Sequence, residues 1–426
     1  MSSLFHNGKN KSRPLAGRLW QSGLILSAAS FLAGLGNFAF QAIIGRQLKE
    51  SGEYGLVNTT LGYIGLLGLP LAIATTAITH YIARFSHHGD DARLQGLLAG
   101  CRKFLLHLTV AGSVLAIFLA KPLSDFLHFR TGLTIAALVC VLAGLWTGLA
   151  TALCQGLSWF KRLALITLLG VTLRLLFAGG IVVKFPVAEW AVLASAVAAL
   201  SNLVLLYWRK DLVRPAEPVS PWSREFVQFL ILAAAVVGGG YCFTQGDLLV
   251  AQRCFSKAEL DAYTGAGVLA RALPMTVAPL LIVLFTHRSV AHTGDALREQ
   301  LKLIGLYAGG LFCGAAGLLF LRGFCLNLIG RHTPEAAAMI VPLAVTMIFV
   351  ALLQALAMWA LASQWIKIAL LYGGLGLAYW LALFALGKSP ATLLTVMPLA
   401  AGIVFVILFT VWLLAMRRSR IRPIHD

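Results

Sequence analysis

Apolar residues fill this chain in long unbroken runs, without the alternation of a half-buried strand or the one-in-three stripe of a surface helix. Runs of about 17 to 25 residues, the length that crosses hydrocarbon as a helix, recur from Trp20 to Met416. About twelve can be separated, at 19–45, 54–80, 104–120, 132–158, 163–183, 187–208, 226–250, 262–286, 303–321, 336–360, 368–387 and 391–416. The polar breaks are short. The longest, RKDLVRPAEPVSPWSRE at 209–225, has three prolines and mixed charge and reads as a linker. The pattern predicts an all-α, polytopic membrane protein with a basic N-terminus (1–18), a six-helix half (19–208), a linker (209–225), a second six-helix half (226–416) and a basic tail (417–426).

Composition sharpens the class. Of 426 residues, 59% are apolar and only 12% charged, against about 25% charged in soluble proteins. No extramembrane loop is long enough to house a glycosyltransferase or polymerase site, and no ATPase module is present. The expectation is a protein that is not an enzyme and carries no cofactor. The net charge of +18 would suit a nucleic acid only if a soluble basic face existed, and none does; no nucleic-acid partner is expected. The charge instead follows the loops. With the N-terminus inside, about 22 of the 34 Lys and Arg fall on the inner side and about 10 outside, with Arg174 and Arg271 left within spans. Both termini are therefore expected in the cytoplasm. The first apolar run is too long for a cleaved signal, whose core is about 7 to 15 residues. Seven scattered cysteines without Cys-x-x-Cys spacing indicate neither a disulfide framework nor zinc.

The two halves resemble each other. Tyr54 and Pro70 recur as Tyr263 and Pro279, and Trp159-Phe160-Lys161 recurs as Trp365-Ile366-Lys367 at nearly the same separation. With an even number of spans per half, such repeats are parallel, related by an axis along the membrane normal.

An ionisable residue inside a span is a functional hypothesis by default. Arg174 and Arg271 both fall near the middle of their spans, where an arginine must face water or pair internally. A guanidinium fork matches phosphate oxygens, so both are candidate substrate contacts; the alternatives for each are snorkelling or a structural ion pair, with Asp247 as a candidate acid. Asp247, towards the outer end of its span, is a candidate counter-ion, gate or ion-coupling residue, or a solvated end. Arg46, ending the first span, is either a third substrate contact or an interfacial anchor. His80, His107 and His287 lie near inner span ends and read as interfacial rather than as a proton relay. Asn37, Gln41, Gln155, Thr244, Gln245 and Gln354 could bind sugar hydroxyls, but most are expected to bond neighbouring helices. Gly387-Lys388-Ser389 imitates a phosphate loop but has Ala382 where the first glycine is required. Gly265-Ala266-Gly267 imitates a dinucleotide fingerprint inside a span, without its strand.

The stretch IIGRQLKESGEYGLVNTTLGYIGLLGLPLAIATTAITHYIARF resembles the first-repeat signature of bacterial polysaccharide flippases. GDLLVAQRCFSKAELDAYTGAGVLARALPMTVAPL resembles their second-repeat signature, and CQGLSWFKRLALITLLGVTLRLLFAGGIV their hairpin between spans four and five. These flippases belong to the multidrug, oligosaccharidyl-lipid and polysaccharide exporter superfamily. The resemblance implies two six-helix bundles around a central cavity, alternating access, and an inner-membrane location. It implies undecaprenyl-pyrophosphate-linked oligosaccharide as cargo for surface polysaccharide synthesis, with membrane lipids, a polysaccharide polymerase and glycosyltransferases as partners. By position, Arg174 and Arg271, and more weakly Arg46, are its pyrophosphate candidates. The peptidoglycan-precursor branch typically has two further C-terminal spans, and the basic tail after about twelve spans argues against that branch. Two rival readings remain open: a cation-coupled multidrug-type exporter, and a non-transporting scaffold of a polysaccharide synthase.

Overall fold

A computed structural model describes residues 15–49, 52–127, 129–207, 224–290, 296–362 and 365–421. Among them there is no strand. The helices are α1 (Leu15–Gln47), α2 (Glu53–Leu67), α3 (Leu69–His88), α4 (Asp91–Leu127), α5 (Thr131–Gly156), α6 (Phe160–Phe177), α7 (Ala188–Tyr207), α8 (Arg224–Cys254), α9 (Lys257–Val290), α10 (Ala296–Ile329), α11 (Pro334–Ala362), α12 (Ile366–Leu386) and α13 (Pro390–Ile421). A π-helical turn at Ala178–Val182 prolongs α6. The chain is an all-α polytopic membrane protein. Nine of the described helices are long and apolar enough to cross a bilayer, and the α2–α3 pair makes a tenth, bent span. Strict alternation puts the start of α1 and the end of α13 on one face, here the terminal face; the other is the distal face.

The second span is broken where the sequence predicted one continuous helix. The axes of α2 and α3 differ by 51°, and the break falls at Gly68, two residues before Pro70. Proline lacks the N–H and its ring crowds the preceding turn, so it opens a new helix more readily than it continues one. Its repeat partner Pro279 lies inside α9, which runs without a break; the side chain there is outside the described set, as are His287 and nearly all of the expected linker. Two other helices outrun their apolar runs. The α4 helix starts at Asp91, where Asp90 accepts the Arg93 N–H at 3.1 Å. The α9 helix starts at Lys257, five residues before its apolar run, because Ser256 and Glu259 form a capping box: Glu259 accepts the Ser256 N–H at 2.9 Å and Ser256 Oγ accepts the Glu259 N–H at 3.4 Å. That extra turn places Asp261 on a helix rather than in a loop.

Helix pairing follows one scheme twice. The α1 helix packs on α6 as α8 packs on α12; α5 packs on α7 as α11 packs on α13; α3 packs on α5 as α9 packs on α11. The turns before α6 and α12 match too: the Trp159 N–H reaches the Cys154 carbonyl at 2.7 Å, and the Trp365 N–H reaches Ala360 at 2.8 Å. Tyr54 and Tyr263 are both fully buried.

Candidate functional site

Three polar assemblies interrupt the apolar interior. The first joins early and late spans at the distal face. Gly52, the N-cap residue of α2, has φ 91° and no side chain with which to cap the helix. The exposed N–H groups of a helix start need an acceptor and favour an anion. Asp261 of α9 provides it: Oδ2 accepts the Gly52 N–H at 3.0 Å and Oδ1 the Gly55 N–H at 2.7 Å. Arg331, in the turn after α10, bonds Asp261 Oδ2 at 3.2 Å, donates to the Leu48 carbonyl, and lies over the Tyr54 ring at 4.9 Å. The same end of α2 is fixed within the early spans. Buried Glu53 accepts Arg130 at 2.8 Å and the Ala188 N–H at 3.0 Å, and Arg130 also pairs with Glu189 at 3.3 Å. Arg46 is exposed beside this assembly, its Cγ against Gly330.

The second assembly is an ion pair. Arg271 pairs directly with Asp247 and also donates from Nε to the Thr244 carbonyl at 3.0 Å. Tyr263 gives its hydroxyl hydrogen to the same Asp247 oxygen. The Asp247 side chain is wholly shielded and that of Arg271 is 11% exposed. Counted along the helices, the two residues differ in depth by about 10 Å, a gap the long arginine side chain crosses towards the distal face. Arg271 and Asp247, two of the four candidates, thus form one neutral unit. One helical stretch away, the Tyr241 hydroxyl donates to the Gly62 carbonyl of α2, and its ring fills the space above Gly65, where an added Cβ would lie 2.8 Å from Tyr241 Cε2. A side chain of α8 therefore braces the span that bends.

Arg174 is the third, and it differs in kind. Its Nη1 donates to Asn37 Oδ1 at 3.1 Å, and its Cζ sits 3.8 Å over the Phe40 ring. Nε is buried without a hydrogen-bond partner. Among the described residues no carboxylate pairs with it. A charge lacking a counter-ion within an apolar span is costly, so its retention needs a reason.

The remaining polar candidates are dispersed. Gln41 donates to Asn58 at 3.1 Å, a contact between α1 and α2, and Thr244 donates to the Gly240 carbonyl of its own helix at 2.9 Å. His80 stacks on Phe229 at 4.4 Å near the terminal face, where Tyr81 meets Phe226 at 5.1 Å. His107 bonds the Lys103 carbonyl at 2.6 Å on an exposed face. Gln155 is exposed, and Gln245 and Gln354 are half-buried. Among the described residues no group of three or more His, Cys, Asp or Glu side chains could hold a metal ion. Sequence reading missed Asp261, Arg331, Glu53, Arg130 and Tyr241. Their partners are remote in the chain, and only the pairing of Glu53 and Asp261 with turns next to apolar runs gave any local signal.

Bent, paired and re-paired in this way, the chain has the fold of the MATE transporters of the MOP superfamily. It is similar to the inward-facing form of a multidrug resistance MATE family transporter (TM-score 0.64, 14% identity, 93% of this chain and 99% of that one). It is as similar to the outward-facing form of such a transporter (TM-score 0.65, 11% identity, 94% and 96%). A point mutant of a Vibrio cholerae MATE transporter gives TM-score 0.59 at 12% identity over 94% and 98%. No family model and no curated protein sequence matches the chain. Because both forms fit equally, the distal contacts of Asp261 and Arg331 are what describe the state of this structure: closed at that face.

Proposed function

We propose that this protein flips an undecaprenyl-pyrophosphate-linked oligosaccharide across the bacterial inner membrane by alternating access between residues 19–208 and 226–416. Arg174 carries the reading. A cargo bearing pyrophosphate needs a cation at mid-membrane that is not already neutralised, and Arg174 is such a cation. Arg271 is matched by Asp247, so its role is in the pair: a coupling or gating unit that loads, protonates or opens as the halves move. With both termini in the cytoplasm, the distal face is periplasmic, and the Asp261–Arg331 assembly is the periplasmic gate of a cytoplasm-open state. Arg46, exposed beside that gate, would meet a phosphate on its way out.

A second reading has its own support. Two of the similar solved structures are of a multidrug resistance MATE family transporter, and a buried aspartate in α8 suits a cation-coupled exporter. Arg174 counts against an organic cation as cargo, because it would repel one. Reconstituted vesicles separate the two readings. The flippase reading expects translocation of lipid-linked oligosaccharide, lost on Arg174→Glu; uptake of organic cations without glycan-lipid translocation would replace it by the exporter reading. Neither activity would leave the synthase scaffold.

A further inference from the structure

Helices α1 and α6 pack tightly at Gly36, where an added Cβ would lie 2.2 Å from Val171 Cγ1. One residue further along α1 is Asn37 and one turn beyond it is Phe40; one turn beyond Val171 on α6 is Arg174. The helix contact therefore builds a two-sided seat. Asn37 Oδ1 holds one guanidinium nitrogen in the plane at 3.1 Å, and Phe40 supports the flat face at 3.8 Å. A guanidinium has five N–H donors, and this seat fixes its plane with a neutral acceptor, leaving the charge uncancelled.

The second half has the same helix contact without the seat. The separation that relates Tyr54 to Tyr263 in the internal repeat carries Asn37 onto Gly246, and the separation of Trp159 from Trp365 carries Arg174 onto Trp380. These two also touch: an added Cβ on Gly246 would lie 2.6 Å from Trp380 Cδ1. The geometry of the α1–α6 crossing thus recurs at α8–α12, but the cation and its amide occur in one half alone.

We infer that Asn37 is a positioning residue that orients Arg174 for a pyrophosphate group, and that its neutrality is the feature that lets anion recognition reside in the first half. This rests on the flippase reading above. An acid at position 37 would pair with Arg174 as Asp247 pairs with Arg271 and remove the anion site. An apolar residue would leave the guanidinium its charge but free its plane.

The full chain in nanodiscs is the material, inorganic pyrophosphate and polyprenyl pyrophosphate are the probes, and binding and thermal unfolding are both measured. Loss of an in-plane bond to a charged group predicts that Asn37→Ala binds the lipid pyrophosphate about tenfold more weakly. Asn37→Asp is expected to bind about a hundredfold more weakly, while melting no lower than the parent because a buried pair has been completed. Asn37→Gln, which retains the amide, is expected to recover part of the loss. Wild-type binding by both Asn37→Asp and Asn37→Ala, with Arg174→Ala defective, overturns the role of Asn37 and spares the flippase reading. Wild-type binding by Arg174→Ala overturns that reading itself. Loss of binding in Asn37→Asp matched by a fall in melting temperature makes Asn37 structural and overturns the inference. Dependence on Asn37 with both probes supports a headgroup site. Dependence with inorganic pyrophosphate but not the lipid form assigns the seat to a free anion and overturns the cargo contact.

Discussion

The carboxylate of Asp261 accepts the backbone N–H of Gly55 at 2.7 Å, although the two residues are 206 positions apart. One half of the chain therefore supplies the helix cap that the other half lacks. Since Gly52 has no side chain to cap α2 locally, separating the halves at this face would leave the N-terminus of α2 without its acceptor, so in the alternating-access reading proposed above this contact is the seal that opens. Asp261→Asn keeps the shape but removes the charge. Charge-assisted bonds of this kind contribute about 1.5–3 kcal/mol, so the variant is expected to favour the distally open form by about ten- to a hundredfold. Spin labels on Lys49→Cys and Lys257→Cys, with the native cysteines replaced, would read this as a longer distance population. An unchanged distribution would mean that Asp261 is not the seal.

Arg331 should not tolerate lysine. It touches Asp261, the Leu48 carbonyl and the face of Tyr54 at once, and only a planar, forked cation can make all three contacts. Arg331→Lys is expected to open the distal face at least half as far, in free energy, as Arg331→Ala, in the same spin-label measurement. Full retention of the closed population by lysine would show that charge alone suffices.

The two mid-span arginines should respond oppositely to removal. Arg271→Met leaves the shielded Asp247 carboxylate unpaired, and breaking such a pair costs about 3–5 kcal/mol. Adding Asp247→Asn to Arg271→Met is expected to restore most of that. Arg174→Met removes a cation that has no counter-ion among the described residues, so its melting temperature should equal or exceed that of the parent while pyrophosphate binding disappears. Thermal unfolding in detergent compares all three. A loss on Arg174→Met as large as that on Arg271→Met would assign Arg174 a structural partner.

The brace between α8 and the bent span is tested by filling its socket. Gly65→Ala places a methyl 2.8 Å from the Tyr241 ring, an overlap expected to cost about 1–3 kcal/mol. Tyr241→Ala in the same chain should relieve it. If Gly65→Ala alone melts like the parent, Tyr241 has room to move and does not brace the bend.

Much of this was legible along the chain. The apolar runs located nearly every span, because hydrocarbon thickness sets a minimum run of side chains that no neighbouring helix can alter. Tyr54 with Tyr263, and Trp159 with Trp365, marked the internal likeness, and the two turns that the tryptophans close proved to be built alike. The charges inside spans picked out Arg174, Arg271 and Asp247, because such residues are rare enough to be noticed one at a time.

What a lone charge is matched with was not legible, because pairing is a property of space. Arg174 and Arg271 read alike in sequence, each one arginine in an apolar run. Only the packing of α8 against α9 brings Asp247 within reach of Arg271, and only the crossing of α1 on α6 gives Arg174 an amide and an aromatic face in place of an acid. The seal was hidden more completely: Asp261 looked like one more polar residue of a turn until a capping box began α9 early and turned its carboxylate to a helix 206 residues away. Sequence alone settled that this chain is a many-span helical membrane protein, since burying backbone in lipid leaves few choices. The tertiary structure decided which mid-span arginine is neutralised by a nearby acid and which has none among the described residues, since Coulomb energy at low dielectric depends on ångströms that sequence separation does not encode.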